Sequence, residues 1–75
     1  MPTIIRLGNV KIAIYTRDHA PPHFHVLVAE YAATISMRTL QITGGDLPPS
    51  VYKLVRRWAI DNRDVLLDAW TRLNG

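Results

Sequence analysis

The spacing of apolar residues changes once along this chain, near Gly44-Gly45-Asp46-Leu47-Pro48-Pro49. Before that point the apolar residues alternate with polar ones, which is the period of a strand buried on one face. After it they recur at helical spacing. A chain split in this way is confined to a sheet followed by helices. Its 75 residues allow one domain, with a β-meander over about 4–43 and a helical part over about 48–73.

Val10, Ile12 and Ile14 alternate with Lys11, Ala13 and Tyr15, and this predicts a first strand over about 10–17. Phe24, Val26 and Val28 predict a second over 23–29, Ala33, Ile35 and Met37 a third, and Leu40 with Ile42 a short fourth. Ile4 and Ile5 allow a further short edge segment. The short connections favour an antiparallel meander of three to four strands. Its apolar face comprises Val10, Ile12, Ile14, Phe24, Val26, Val28, Ile35, Met37, Leu40 and Ile42.

Pro48 and Pro49 suit a helix start, where a missing N–H costs nothing, and Asp46 favours the positive dipole end. Val51, Leu54, Val55, Trp58 and Ala59 form one amphipathic stripe, continued by Val65, Leu66, Ala69, Trp70 and Leu73. Both tryptophans sit at core spacing. A break at Asp61-Asn62-Arg63-Asp64 is expected, because an unbroken rod of roughly 25 residues would run near 37 Å and overhang so small a sheet. Two helices covering one face of the sheet give an α+β domain of two layers.

No cysteine is present, so disulfides and thiolate zinc sites are excluded. No uncharged apolar run approaches the roughly 20 residues needed to cross a bilayer. Arg6 and Lys11 interrupt the first apolar stretch, unlike a signal peptide. A cytoplasmic protein without a membrane partner is the expectation. The formal charge of +3 permits nucleic acid or an acidic partner and requires neither.

All three histidines fall within Asp18-His19-Ala20-Pro21-Pro22-His23-Phe24-His25. Proline fixes its own φ and extends the residue before it, so the run reads as a stiff arm carrying imidazoles. Phe24 faces the core, so His23 and His25 face the other side of the sheet. With a two-residue turn at Glu30-Tyr31, His25 lies across from Ser36 and His23 across from Arg38. The open face then gathers His23, His25, Tyr15, Arg17, Ser36 and Arg38, with Lys11 further along.

Three readings compete for this surface. In the first, His23 and His25 act as base and acid on a phosphodiester such as RNA. Arg17 and Arg38 stabilise developing charge, Tyr15 stacks or donates a hydrogen bond, and no cofactor is needed. In the second, His19, His23 and His25 hold a divalent metal, with Asp18 as a fourth ligand or as a partner behind them. That reading requires His19, which belongs to the loop, to converge with the strand pair. In the third, the histidines are polar residues on a solvated face and the prolines shape a turn. The spacing His23-x-His25-x4-Glu30 mimics half of a cupin metal motif, but the chain has too few strands for a cupin barrel.

The helix has its own outer face. Lys53, Arg56, Arg57 and Arg63 project opposite the apolar stripe, and a solvated face is the default for such charges. Ile60 and Leu67 interrupt them, which suits a protein partner or a second copy of the chain. Arg56, Arg57, Ile60 and Leu67 are the candidate partner-binding residues.

Met1-Pro-Thr-Ile, Ile12-Ala-Ile-Tyr15, Asp18-His-Ala-Pro-Pro-His-Phe-His25, Gly45-x-Leu-Pro and the Trp-containing helices together resemble domain of unknown function family 4160 over nearly the whole chain. The Asp-His-x-Pro-Pro-His-x-His core is its specific element. The resemblance implies a small bacterial or phage protein, often encoded beside a member of domain of unknown function family 2442. That pairing implies a type II toxin–antitoxin module, with this chain the toxin-like component and the neighbour its antitoxin. No catalytic mechanism comes with the resemblance. Only the motif transfers, onto Asp18, His19, Pro21, Pro22, His23 and His25. Many members carry an acidic residue or Gly-Glu between strands three and four, whereas this chain has Arg38-Thr39-Leu40-Gln41. The departure makes that surface more basic and favours an anionic ligand. The leading expectation is therefore a toxin-like module acting through the histidine face, against a non-catalytic binding module or a metal-binding protein.

Overall fold

The computed structural model describes residues 2–75; Met1, which opens the first motif segment quoted above, lies outside them. Five strands form one antiparallel sheet in the order β1-β2-β3-β4-β5, with β1 Thr3–Leu7, β2 Val10–Ile14, β3 His23–Val28, β4 Tyr31–Ser36 and β5 Ile42–Gly45. Two helices follow, α1 Pro49–Asp61 and α2 Arg63–Asn74. The class is α+β, as the change of period implies. The sheet has five strands instead of three to four, because the segment around Ile4 and Ile5 pairs fully with β2, from Thr3 opposite Ile14 to Leu7 opposite Val10.

The inner face is the alternating set. Val10, Ile12, Ile14, Phe24, Val26, Val28, Ile35, Met37 and Leu40 are buried, and Ile42 packs against them partly exposed. The helices contribute Val55, Ala59, Leu66, Ala69 and Trp70. Three sequence expectations for the helices need correction. Leu54 and Val65 lie on the exposed side, at 51% and 47%, because one stripe of a helix on a flat sheet is narrower than the full apolar set. Asp46 lies outside the first turn of α1, which starts at Pro48 and Pro49 with no side-chain cap.

The helices do break, at Asn62, which leaves helical geometry at φ −124° and donates its amide to the Trp58 carbonyl at 2.8 Å. The longest dimension of the Cα trace is 31 Å, shorter than the unbroken rod would have been.

β2 ends at Ile14 instead of continuing to Arg17, because Arg17 takes a positive φ of 56° and turns the chain out of the sheet. The β3–β4 turn also differs from expectation. Its central residues are Ala29 and Glu30, with Ala29 at φ 50° and Val28 opposite Tyr31. This moves the pairing by two residues and leaves the faces unchanged. His23 lies opposite Ser36 and His25 opposite Thr34. Met37 and Leu40 belong to the β4–β5 connection, where Ser36 Oγ accepts the N–H groups of Arg38 and Thr39.

Gly45 is the most constrained backbone position. Its φ is 76°, and a Cβ there would overlap the Ala32 carbonyl. Gly8 has a similar φ of 62° but open space around it. Gly45→Ala should therefore cost about 2 kcal/mol or more, a fall in thermal midpoint of roughly 10 °C, and Gly8→Ala about half that. Thermal unfolding followed by circular dichroism checks the difference; equal effects would contradict the close approach at Gly45.

Candidate metal centre on the outer face of the sheet

Register places Ile4, Ala13, His25, Thr34 and Gly44 in one row across the outer face, opposite the helices. His23 and Ser36 form the next row towards the β2–β3 loop. That loop runs through Asp18, His19, Pro21 and Pro22, and its Ala20–Pro21 peptide is cis. It returns the Asp18 carboxylate to the two strand histidines.

Asp18 is the hub. Its Oδ2 lies 2.9 Å from His23 Nε2 and 3.1 Å from His25 Nε2. Its Oδ1 accepts the backbone N–H of His19 at 3.0 Å, with His19 Nδ1 3.2 Å away. The Asp18 backbone is held by the last turn of α2. Asn74 Oδ1 accepts the Asp18 N–H at 2.7 Å, and the Asn74 amide donates to the Tyr15 carbonyl at 3.0 Å. The sequence reading missed Asn74, since an asparagine near a helix C-terminus reads only as a cap.

The three imidazoles do gather, with ring centroids 5.0 Å apart for His19 and His23 and 5.3 Å for His23 and His25. Their environments differ. His23 is 5% exposed and its ring lies 5.2 Å from Trp70, so it is not on an open face as expected. The end of α2 covers it. His25 is half-buried with the Tyr15 ring edge-on at 4.7 Å. The His19 side chain is 86% exposed.

Asp18, His23 and His25 each offer a ligand atom, and these atoms lie within 4.8 Å of one another. Metal–donor distances of about 2.0–2.2 Å fit such a triangle with little movement. His19 stands outside this triangle, so the group that could hold an ion is one carboxylate and two imidazoles. A groove of about 310 Å³ opens on the cluster, lined by His19, Pro21, Pro22, His23, His25, Thr34, Ser36, Thr43 and Gly44. A second hollow of about 210 Å³ continues past Tyr15 and His25 along Leu27, Ala32 and Gly45. Arg17 and Arg38 are exposed and line neither.

Partial burial alone would raise the Asp18 carboxyl. The His25 hydrogen bond, the His19 N–H and the neighbouring imidazoles outweigh it and hold the carboxyl below its ordinary 3.8. The sign follows directly: the folded form binds that proton less readily than the unfolded chain. The stabilisation is therefore present above pH 3.8 and is lost as pH falls through the lower folded value. In chelator-treated protein, Asp18→Asn should flatten the acid limb of stability below about pH 4. Urea midpoints measured from pH 2 to 6 test this, and an unchanged acid limb would remove Asp18 as a contributor.

A five-stranded antiparallel meander backed by two helices, carrying a carboxylate–imidazole cluster on its outer face, is the class of protein defined so far. The model of a domain of unknown function, DUF4160, matches residues 9–71, and the chain belongs to that family. No curated protein and no solved structure matches it. Among the described residues, no helix is long and apolar enough to cross a membrane.

Proposed function

We propose that this chain binds a divalent transition ion through Asp18, His23 and His25, and that the ion's open positions face the groove as its working centre. One observation carries the reading. His23 Nδ1 lies 2.8 Å from the Pro21 carbonyl, which can only accept, so Nδ1 holds the proton. Nε2 of the neutral ring then turns a lone pair towards Asp18 Oδ2 at 2.9 Å. Two acceptors at that distance need a cation between them, either a proton on Nε2 or a metal. A ring nitrogen that donates to a backbone carbonyl, leaving the other nitrogen's lone pair for an ion, is the arrangement metal-binding histidines use.

Two histidines and one carboxylate leave positions free for water and a ligand, and suit zinc or iron-type ions. A metal-bound water has its pKa lowered towards about 7, which makes hydrolysis accessible at neutral pH. His19 stands exposed beside the cluster, within reach of solvent for proton exchange. The metal-free alternative uses His23 and His25 as acid and base, and a chelator separates the two.

Calorimetric titration of untagged, chelator-treated protein with Zn²⁺ should show one ion per chain. Asp18→Ala, His23→Ala and His25→Ala should each weaken it by at least about 100-fold, more than loss of a supporting partner costs, and His19→Ala should leave it intact. Absence of binding, or dependence on His19 instead, overturns the assignment.

The wider reading is a toxin-like component whose partner is a small antitoxin of the family 2442 type. It rests on the family resemblance, and one surface favours a protein partner. A trough of about 510 Å³ along α1 is lined by Ser50, Lys53, Leu54, Arg56, Arg57 and Ile60. Leu54 and Ile60 are both 51% exposed in its floor. Leu67, although exposed, lies on α2 and does not line it. Expression of the chain alone should arrest growth, and co-expression of the neighbouring open reading frame should restore it. His23→Ala and His25→Ala should abolish the arrest, whereas Arg56→Glu with Arg57→Glu should abolish the rescue. Retained toxicity in both histidine variants removes the cluster from the activity.

A further inference from the structure

The outer face carries one pairing that works against the fold. Arg6 of β1 lies directly opposite Lys11 of β2. Both alternate with inward residues, Ile5 and Leu7 on one strand and Val10 and Ile12 on the other, so both side chains share the outer face. Like charges directly opposite on an antiparallel pair destabilise it. Neither cation forms an ion pair among the described residues. A five-residue edge strand in a domain this small gains nothing from such a pair.

The pair is also placed with respect to the cluster. Lys11 lies opposite Leu27, and Ala13 lies opposite His25. The cation row is thus one step of two residues, roughly 7 Å, from the His25 row on the same face, and one to two strands across at about 4.8 Å each. Between them the accessible face carries Leu27, Ala32, Thr34 and Gly44, while Ala13 is fully buried. The hollow past His25 runs along that accessible stretch. Tyr15 stands at its border with a partly exposed ring.

We infer that Arg6 and Lys11 form a phosphate-binding pair for a single-stranded nucleic acid laid across the outer face of the sheet, with its reacting phosphodiester at the Asp18–His23–His25 cluster. The inference rests on the outer face being the working face, and it supplies the substrate class that the cluster lacks. Two unneutralised cations match the paired charges of successive phosphates. The hollow between them, lined by Leu27, Ala32, Thr34 and Gly44, gives an extended strand a path. An aromatic ring at its edge suits base stacking, which acidic peptides do not exploit. The repulsion between Arg6 and Lys11 disappears when phosphate lies between them, so the fold's loss is recovered on binding.

Fluorescence anisotropy with labelled 12-nucleotide poly(U) RNA and poly(dT) DNA tests this across 50–300 mM salt, with and without EDTA. The double variant Arg6→Gln/Lys11→Gln should weaken binding about 10-fold or more and reduce the salt slope by roughly 1.4, near 0.7 per phosphate contact. Arg72→Gln, an exposed cation on α2, should change neither. The charge-conserving exchange Arg6→Lys/Lys11→Arg should retain binding. The double variant should also be no less stable than the parent; a fall of more than a few degrees would make the pair structural and overturn the inference. Unchanged affinity and slope would overturn it too, as would tighter binding of poly-glutamate than of either nucleic acid. Loss in the double variant with both probes in EDTA supports the phosphate site independently of the metal, while Zn²⁺ titration of the same variant reports the metal site separately. Preference for poly(U) over poly(dT) assigns RNA within the class, and the reverse assigns DNA.

Discussion

Everything at this site depends on the pleat of β3. Phe24, Val26 and Val28 are buried on the inner face, with Phe24 and Val26 fully so, and the helices close over that face. Burial of that order, about 1.5–3 kcal/mol for each large side chain, leaves no freedom of register. A slip of one residue would bring three hydrophobes to water and two imidazoles into the core. His23 and His25 are therefore fixed on the outer side by residues that never touch the chemistry. The strand sets their spacing at two residues, which places both Nε2 atoms within about 3 Å of one carboxylate oxygen.

The carboxylate itself has no such anchor in the sheet. It comes from a loop that leaves β2 at a positive-φ arginine and returns through two prolines. Its position is held from 56 residues away, by Asn74 on the Asp18 amide, while the same side chain grips the Tyr15 carbonyl. Trp70, one turn earlier on α2, closes over the His23 ring. The last helix therefore does two things with one surface. It completes the hydrophobic core through Leu66 and Ala69, and it clamps the loop that brings Asp18 to the histidines.

That division explains what could be read from the sequence. Strands β2, β3 and β4 follow from apolar period, because each is driven by burial on one face, and the break at Asn62 follows from the length an unbroken helix would reach. The outward direction of His23 and His25 follows for the same reason. The turn at Ala29-Glu30 lies one position before the Glu30-Tyr31 expected, since an alanine at φ 50° has no sequence mark. The β1 segment reads only as an optional edge because the adjacent Ile4 and Ile5 do not alternate, Ile4 being exposed on the outer face. The gathering of Asp18 with the histidines was only half visible: its proximity along the chain was plain, while the hold from Asn74 spans nearly the whole chain and follows no local rule. Burial of His23 depends on that same long-range closure by α2.

The arrangement of charge on the outer face gives these pieces a common sense. At one end the Asp18 carboxylate, its pKa lowered, sits among imidazoles that line a groove reached by no arginine. One row away two cations face each other, and among the described residues neither forms an ion pair. A sheet selected for stability alone would exchange one member of each grouping, placing an acid beside Lys11 and an apolar residue at His23. Either exchange would relieve a cost that the present arrangement carries. Both costs belong to the outer side of the sheet, and the two proposed occupants would relieve them together: a cation seated at Asp18 and an anionic strand running from it towards Arg6. An anionic strand that bridges the two positions would meet positive charge at each end, which fixes its path across the sheet.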